Sequence, residues 1–214
     1  MLLKWIVCRV AKENAEAFSV AQEAWQGMQT EPGFLGQCGG WSDGKTACIV
    51  GLWTSAEAQN AFLQDGQHDA IVKASNQMAL LKSWTTTLLQ QRFPMPGRYA
   101  DLQQALAAAP EGALLRVADC WVPPDQKTTF LKEQESTWLP AMQKADGMLG
   151  GSFCADGVGR FMVVTLWQSE KHHTRYVEED LPKLLKRVSE KQAVPHRLNG
   201  YTCSLNANWV VNPA

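Results

Sequence analysis

The sequence predicts an α+β fold made of two tandem halves, each running β-α-β-β-α-β in the ferredoxin-like order. Three observations carry this prediction. The stretch "GFLGQCGGWSDGKTACIVGLW" at 33–53 returns as "GMLGGSFCADGVGRFMVVTLW" at 147–167, 114 positions later. Short β-branched and aromatic runs bounded by turn residues recur in both halves. Between these runs, apolar residues fall at helical spacing. A chain of 214 residues is long enough for two domains, at about 100 residues each.

The first run, "LLKWIVCRV" at Leu2 to Val10, reads as a strand, and "LLRVADCWV" at Leu114 to Val122 repeats it at an offset of 112. From Lys12 to Met28 the residues Phe18, Ala21, Trp25 and Met28 mark one face of a helix, answered by Phe130, Trp138 and Met142 after Pro123-Pro124. Each quoted stretch then reads as a hairpin, turning at Asp43-Gly44 and Asp156-Gly157. Ser55 and Ser169 follow as capping hydroxyls of a second helix. The closing strands are Ser83 to Leu89 and Gly200 to Leu205. Residues 1–92 and 113–214 are therefore expected as two domains, with 93–112 as a linker whose short helix runs from Tyr99 to Ala109. A four-stranded sheet with helices on one face leaves the other bare, so the halves are expected to pack sheet to sheet.

Composition narrows the function. The net charge is -1 and Lys and Arg are scattered, which argues against a nucleic-acid partner. No apolar run approaches a membrane span and no signal peptide is legible, so the protein is read as cytoplasmic with no membrane partner. The six cysteines, Cys8, Cys38, Cys48, Cys120, Cys154 and Cys203, form no C-x-x-C and are expected as buried thiols. Phosphate-binding and hydrolase motifs are absent. Nine tryptophans suit tight cores or an aromatic-lined cavity.

The progression "KWIVC", "AQEAW", "GFLGQCGGW", "LWTSAEA", with its echo "GMLG" and "LWQSEKH", resembles the dimeric α+β barrel superfamily of antibiotic biosynthesis monooxygenases (ABM) and heme-degrading monooxygenases, in an uncharacterised bacterial branch. The resemblance runs once per half and implies an intramolecular barrel, an internal pseudo-dimer, with a further homodimer left open. ABM-type oxygenases hold an aromatic substrate between helices and sheet and need no bound metal or flavin. The resemblance thus implies a small-molecule enzyme, a monooxygenase without cofactors acting on an apolar or aromatic ligand. The alternative is a non-catalytic protein that binds a small ligand or heme. The heme degraders' Asn, Trp and His positions fall on Cys8-Arg9, Phe62 and Val72 in the first half and on Cys120-Trp121, Tyr176 and Lys186 in the second, so their mechanism is not expected.

Within that frame, Gln22 lies on the core-facing stripe between Phe18 and Trp25, and Gln134 repeats it between Phe130 and Trp138. The substrate wall is expected from Trp5, Gln22, Trp25 and Phe62, or from Asp119, Gln134, Trp138 and Tyr176 in the second half. Two residues are candidates for proton transfer. Asp119 sits at period two with Val117 and Trp121, where desolvation would favour a base. His68, in "QDGQHDAI", is the first half's best acid-base group. Lys4, Arg9 and Arg116 read as rim charges. His172-His173 lacks a convincing third ligand, so no metal site is expected. The copies differ at Cys38/Ser152, Trp41/Ala155 and Cys48/Met162, which predicts a site in one half only.

Overall fold

The computed structural model describes residues 1–190 and 197–214. The fold is α+β and tandem, as the repeat predicts. The first half contains β1 (Leu2–Val10), α1 (Ala15–Glu23), β2 (Phe34–Asp43), β3 (Thr46–Trp53), α2 (Ala56–Gln64), α3 (Gln67–Ser75) and β4 (Leu81–Pro96). Next come α4 (Leu102–Ala107), β5 (Leu114–Trp121), α5 (Lys127–Glu133), α6 (Leu139–Met142), β6 (Met148–Ala155), β7 (Arg160–Trp167), α7 (Glu170–Arg175), α8 (Leu181–Glu190) and β8 (Arg197–Ser204). By contact the chain divides into residues 1–88 with 203–214, and residues 89–202.

In the first unit the strand order is β2-β3-β1-β4, with β3 antiparallel to β1 from Leu2↔Trp53 to Arg9↔Thr46. Asp43 closes the hairpin, accepting from the Lys45 amide at 2.8 Å. Alternation along β1 sends Cys8 and Val10 toward Phe18 of α1, and Leu2 toward Met28 and Phe62. Residues 203–214 complete this unit. Gln37 and Val211 exchange two backbone hydrogen bonds of 2.8 and 2.9 Å, and the buried Trp209 packs on Phe18 at 5.8 Å.

In the second unit β7 pairs with β5 and β6, and β8 lies beside β5. The later part of β4 pairs with β6 from Gln90↔Ala155 to Pro96↔Gly150. β4 therefore runs past the Leu89 end read from the sequence, through Pro94 and Pro96. Within this unit it is an edge strand, where a missing backbone donor is tolerated. The helix expected over Tyr99 to Ala109 is shorter, starting where Asp101 caps the Gln104 amide at 2.8 Å.

The repeated glycines opening each hairpin have a steric reason. Gly33 has φ 78°, and a Cβ there would lie 2.6 Å from the Ala58 Cβ; Gly147 has φ 80°, with His172 Cβ 2.4 Å from the corresponding point. Each lets a helix start pass over the hairpin. Ser55 caps as predicted, accepting from Ala58 at 3.2 Å. Ser169 instead bonds the His172 Nδ1 at 2.8 Å.

The candidate functional site

The first unit holds a cavity of about 320 Å³, open on one side, between its sheet and helices. Its floor is Lys4, Ile6 and Cys8 of β1, Gln37 of β2, and Ile49, Gly51 and Trp53 of β3. Its roof includes Gln22 of α1, Trp25 and Met28 in the 3-10 turns that follow, Phe62 of α2, and His68 and Val72 of α3. Most of this wall is apolar. Trp53 and Phe62 pack at 5.3 Å, while His68 lies 5.8 Å from Phe62 and 5.6 Å from Trp25. Trp25 is anchored by its indole N–H, which donates to Gln77 Oε1 at 3.1 Å.

Four other polar groups on this wall share one property. Among the described residues, the Lys4 ammonium, the Gln22 amide and the Trp53 indole N–H have no hydrogen-bond or ion-pair partner, and the buried Gln37 Nε2 has none either. Burial holds the Lys4 pKa below its ordinary value. Buried polar groups are normally paired because leaving one unpaired costs about 1–3 kcal/mol. Four unpaired donors around one apolar space suit a ligand that brings the acceptor, ideally an anionic oxygen.

His68 sits in the first turn of α3, where Asp65 accepts from the Gln67 amide at 2.8 Å and starts the helix. Its Nδ1 lies 3.0 Å from the Asp69 carboxylate. With Nδ1 protonated toward Asp69, Nε2 is left as the acceptor.

The structure thus brings Gln22, Trp25, Phe62 and His68 together. Trp5 is elsewhere. It is fully buried on the opposite face of β1, with Leu3 and Val7, because strand alternation gives the helix side to Lys4, Ile6 and Cys8. Lys4, read from the sequence as a rim charge, stands on the cavity wall for the same reason. Gln37, Trp53 and Gln77 complete the polar set, and period two from Ile49 and Gly51 was the signal that would have marked Trp53.

In the second unit Gln134, Trp138 and Tyr176 also come together, with Arg116, Ala118 and Cys120, but around only about 70 Å³. Two changes fill the space. Thr165 replaces Gly51, and its hydroxyl accepts from the Trp167 indole at 3.0 Å. The interval from Gln134 to Trp138 is one residue longer than from Gln22 to Trp25, and a π-helical turn absorbs it. Asp119 lies on neither cavity. Both its oxygens accept from Arg160, Nε at 2.7 Å and Nη2 at 2.6 Å, and that guanidinium stacks 5.0 Å from the Trp121 ring. His173 packs 5.3 Å from Trp167, and burial, then the Arg116 charge, push its pKa down to about 4. All six cysteines are buried thiols. No described helix is long and apolar enough to cross a membrane.

Two tandem ferredoxin-like units, the first with a helix-covered cavity, define the class by fold: α+β. Two solved structures share that fold over nearly the whole chain. One is a candidate monooxygenase from Lactobacillus acidophilus, with a TM-score of 0.72 at 12% identity over 99% of this chain and 95% of that one. The other is an anthrone oxidase-like protein, with a TM-score of 0.65 at 11% identity over 96% and 91%. The particular family follows from sequence. Residues 2–89 match a domain of unknown function, DUF4937. The chain is 35% identical over 98 residues to the uncharacterised protein YdbC of Bacillus subtilis, covering 44% of this chain and 82% of YdbC, and it belongs to that family.

Proposed function

We propose that the protein is an ABM-type monooxygenase that oxidises an apolar or aromatic compound in the first-half cavity, with the substrate itself supplying electrons to oxygen. One observation carries the reading: an aromatic-walled cavity of about 320 Å³ whose polar lining presents unpaired donors. Such a lining stabilises a phenolate or enolate over its neutral acid. In this reading Trp25, Phe62 and Trp53 hold the flat substrate. His68 Nε2 takes the acidic proton, with Asp69 fixing the tautomer. Lys4, Gln22 and Gln37 bind the resulting oxyanion, and the electron-rich anion reacts with dioxygen away from bulk water.

Asp119 has no part in this scheme, since Arg160 occupies both its oxygens. The heme reading has no comparable observation in its favour: Cys8, Phe62 and Val72 stand at the heme degraders' positions and serve as cavity wall.

The test uses anthrone, an enolisable tricyclic aromatic ketone, with oxygen uptake and product analysis in buffer containing a chelator and no flavin. The expected product is anthraquinone. Each anthrone loses two hydrogens and gains one oxygen atom, while the second oxygen atom leaves as water. Uptake no faster than in buffer, with anthrone and with a panel of phenols, overturns the proposal.

A further inference from the structure

We propose that the second unit carries a separate site for a small carboxylate with an apolar body, anchored by Arg116. The site is distinct from the first-half cavity and shares no residue with it.

Arg116 repeats Lys4 in register, 112 positions later, so both halves place a cation on the helix-facing side of their first strand. In the second unit the interior is nearly filled, and Arg116 also lines a cleft of about 310 Å³. The cleft is bounded by His173, Tyr176, Val177 and Leu181 on the helical side and by Gly200 to Thr202 of β8.

Three features point to a carboxylate. Among the described residues no acid pairs with Arg116, and burial lowers its pKa, so the guanidinium carries a desolvation cost that no described carboxylate offsets. Its planar fork matches two carboxylate oxygens in a bidentate pair. The Tyr176 side chain lines the same cleft as Arg116, and its hydroxyl has no hydrogen-bond partner among the described residues and can donate to the same group. His173 stays neutral at physiological pH, so the cleft holds a single positive charge, which suits a monoanion. Val177 and Leu181 supply an apolar wall for the rest of the ligand.

Benzoate is the probe, titrated by calorimetry and by the His173 imidazole NMR signal in a Lys4→Met background, which removes the cation of the first cavity. Benzoate is expected to bind and to move His173. Arg116→Gln is expected to weaken binding about 10- to 100-fold, the range for a lost charge-assisted pair. Arg116→Lys, which keeps the charge but loses the fork, falls between them and serves if the Gln variant does not fold. Unchanged affinity in both variants overturns the proposal, as does binding that leaves His173 unmoved. Inorganic phosphate is expected to bind more weakly than benzoate; equal or tighter binding overturns the carboxylate assignment.

Discussion

Substituting Gly51→Thr copies onto the first half what the second half already has. Gly51 lies in the interior of β3 on the cavity floor, and a Cβ there would sit 3.8 Å from the Trp53 Nε1 and 3.9 Å from the Lys4 Cβ, which is ordinary contact with no clash. Replacing an interior strand glycine is worth about 0.5–1 kcal/mol. In the second half Thr165 accepts from the Trp167 indole at 3.0 Å. The same bond to Trp53 adds about 0.5–1.5 kcal/mol. Together these predict stabilisation of about 1–2.5 kcal/mol, or a Tm higher by about 2–10 °C for a chain of this size. The added side chain also takes the space next to Lys4, so an aromatic ligand such as 2-naphthol is expected to bind at least about tenfold more weakly. Thermal denaturation and fluorescence titration of the two proteins check both halves of the prediction. A lower Tm, or a stabilised variant that binds as before, refutes the reasoning that this space is kept open for a ligand at a cost in stability.

Three further outcomes follow from the same geometry. Lys4→Met is expected to stabilise the fold by about 1–2 kcal/mol in urea denaturation, because it removes an unpaired buried charge. Because burial lowers the Lys4 pKa, the unfolded chain binds more protons as pH rises toward the ordinary lysine range. The wild type should therefore gain on Lys4→Met through that window and show its full deficit below it. Asp119→Ala is expected to cost about 1.5–3 kcal/mol, since it removes both carboxylate acceptors of the Arg160 guanidinium, and to leave ligand affinity in the first cavity unchanged in the folded fraction. Burial pushes the thiols of Cys8, Cys38, Cys120 and Cys154 up to about 12, so a disulfide reagent at neutral pH should react with none of them until the protein is unfolded.

The fold was legible where local chemistry and pattern agreed. β1 and the two hairpins follow from β-branched runs and Asp-Gly turns. Pro94 and Pro96 look like stops in the sequence, and only the edge position of β4 in the second unit explains why the strand runs on through them. Gln22 was visible because a polar residue interrupts an apolar helical stripe. Trp5 is expected on the wall, yet on β1 the parity of the position decides which face a side chain takes, and parity puts Lys4 on the wall instead. A charge on a strand looks the same in sequence whether it is solvated or buried. Asp119 shows the same limit, since its partner Arg160 lies 41 residues away and only the β5–β7 register brings them together.

The central claim is that the first-half cavity, with its unpaired donors, is the ligand site. The most direct measurement is the indole N–H NMR spectrum of the wild type and of Gly51→Thr during titration with 2-naphthol. The Trp53 and Trp25 signals are predicted to move together and saturably in the wild type, Trp53 toward a hydrogen-bonded shift, and to stay still in the variant. Movement of Trp138 with Trp53 and Trp25 unperturbed would contradict the account.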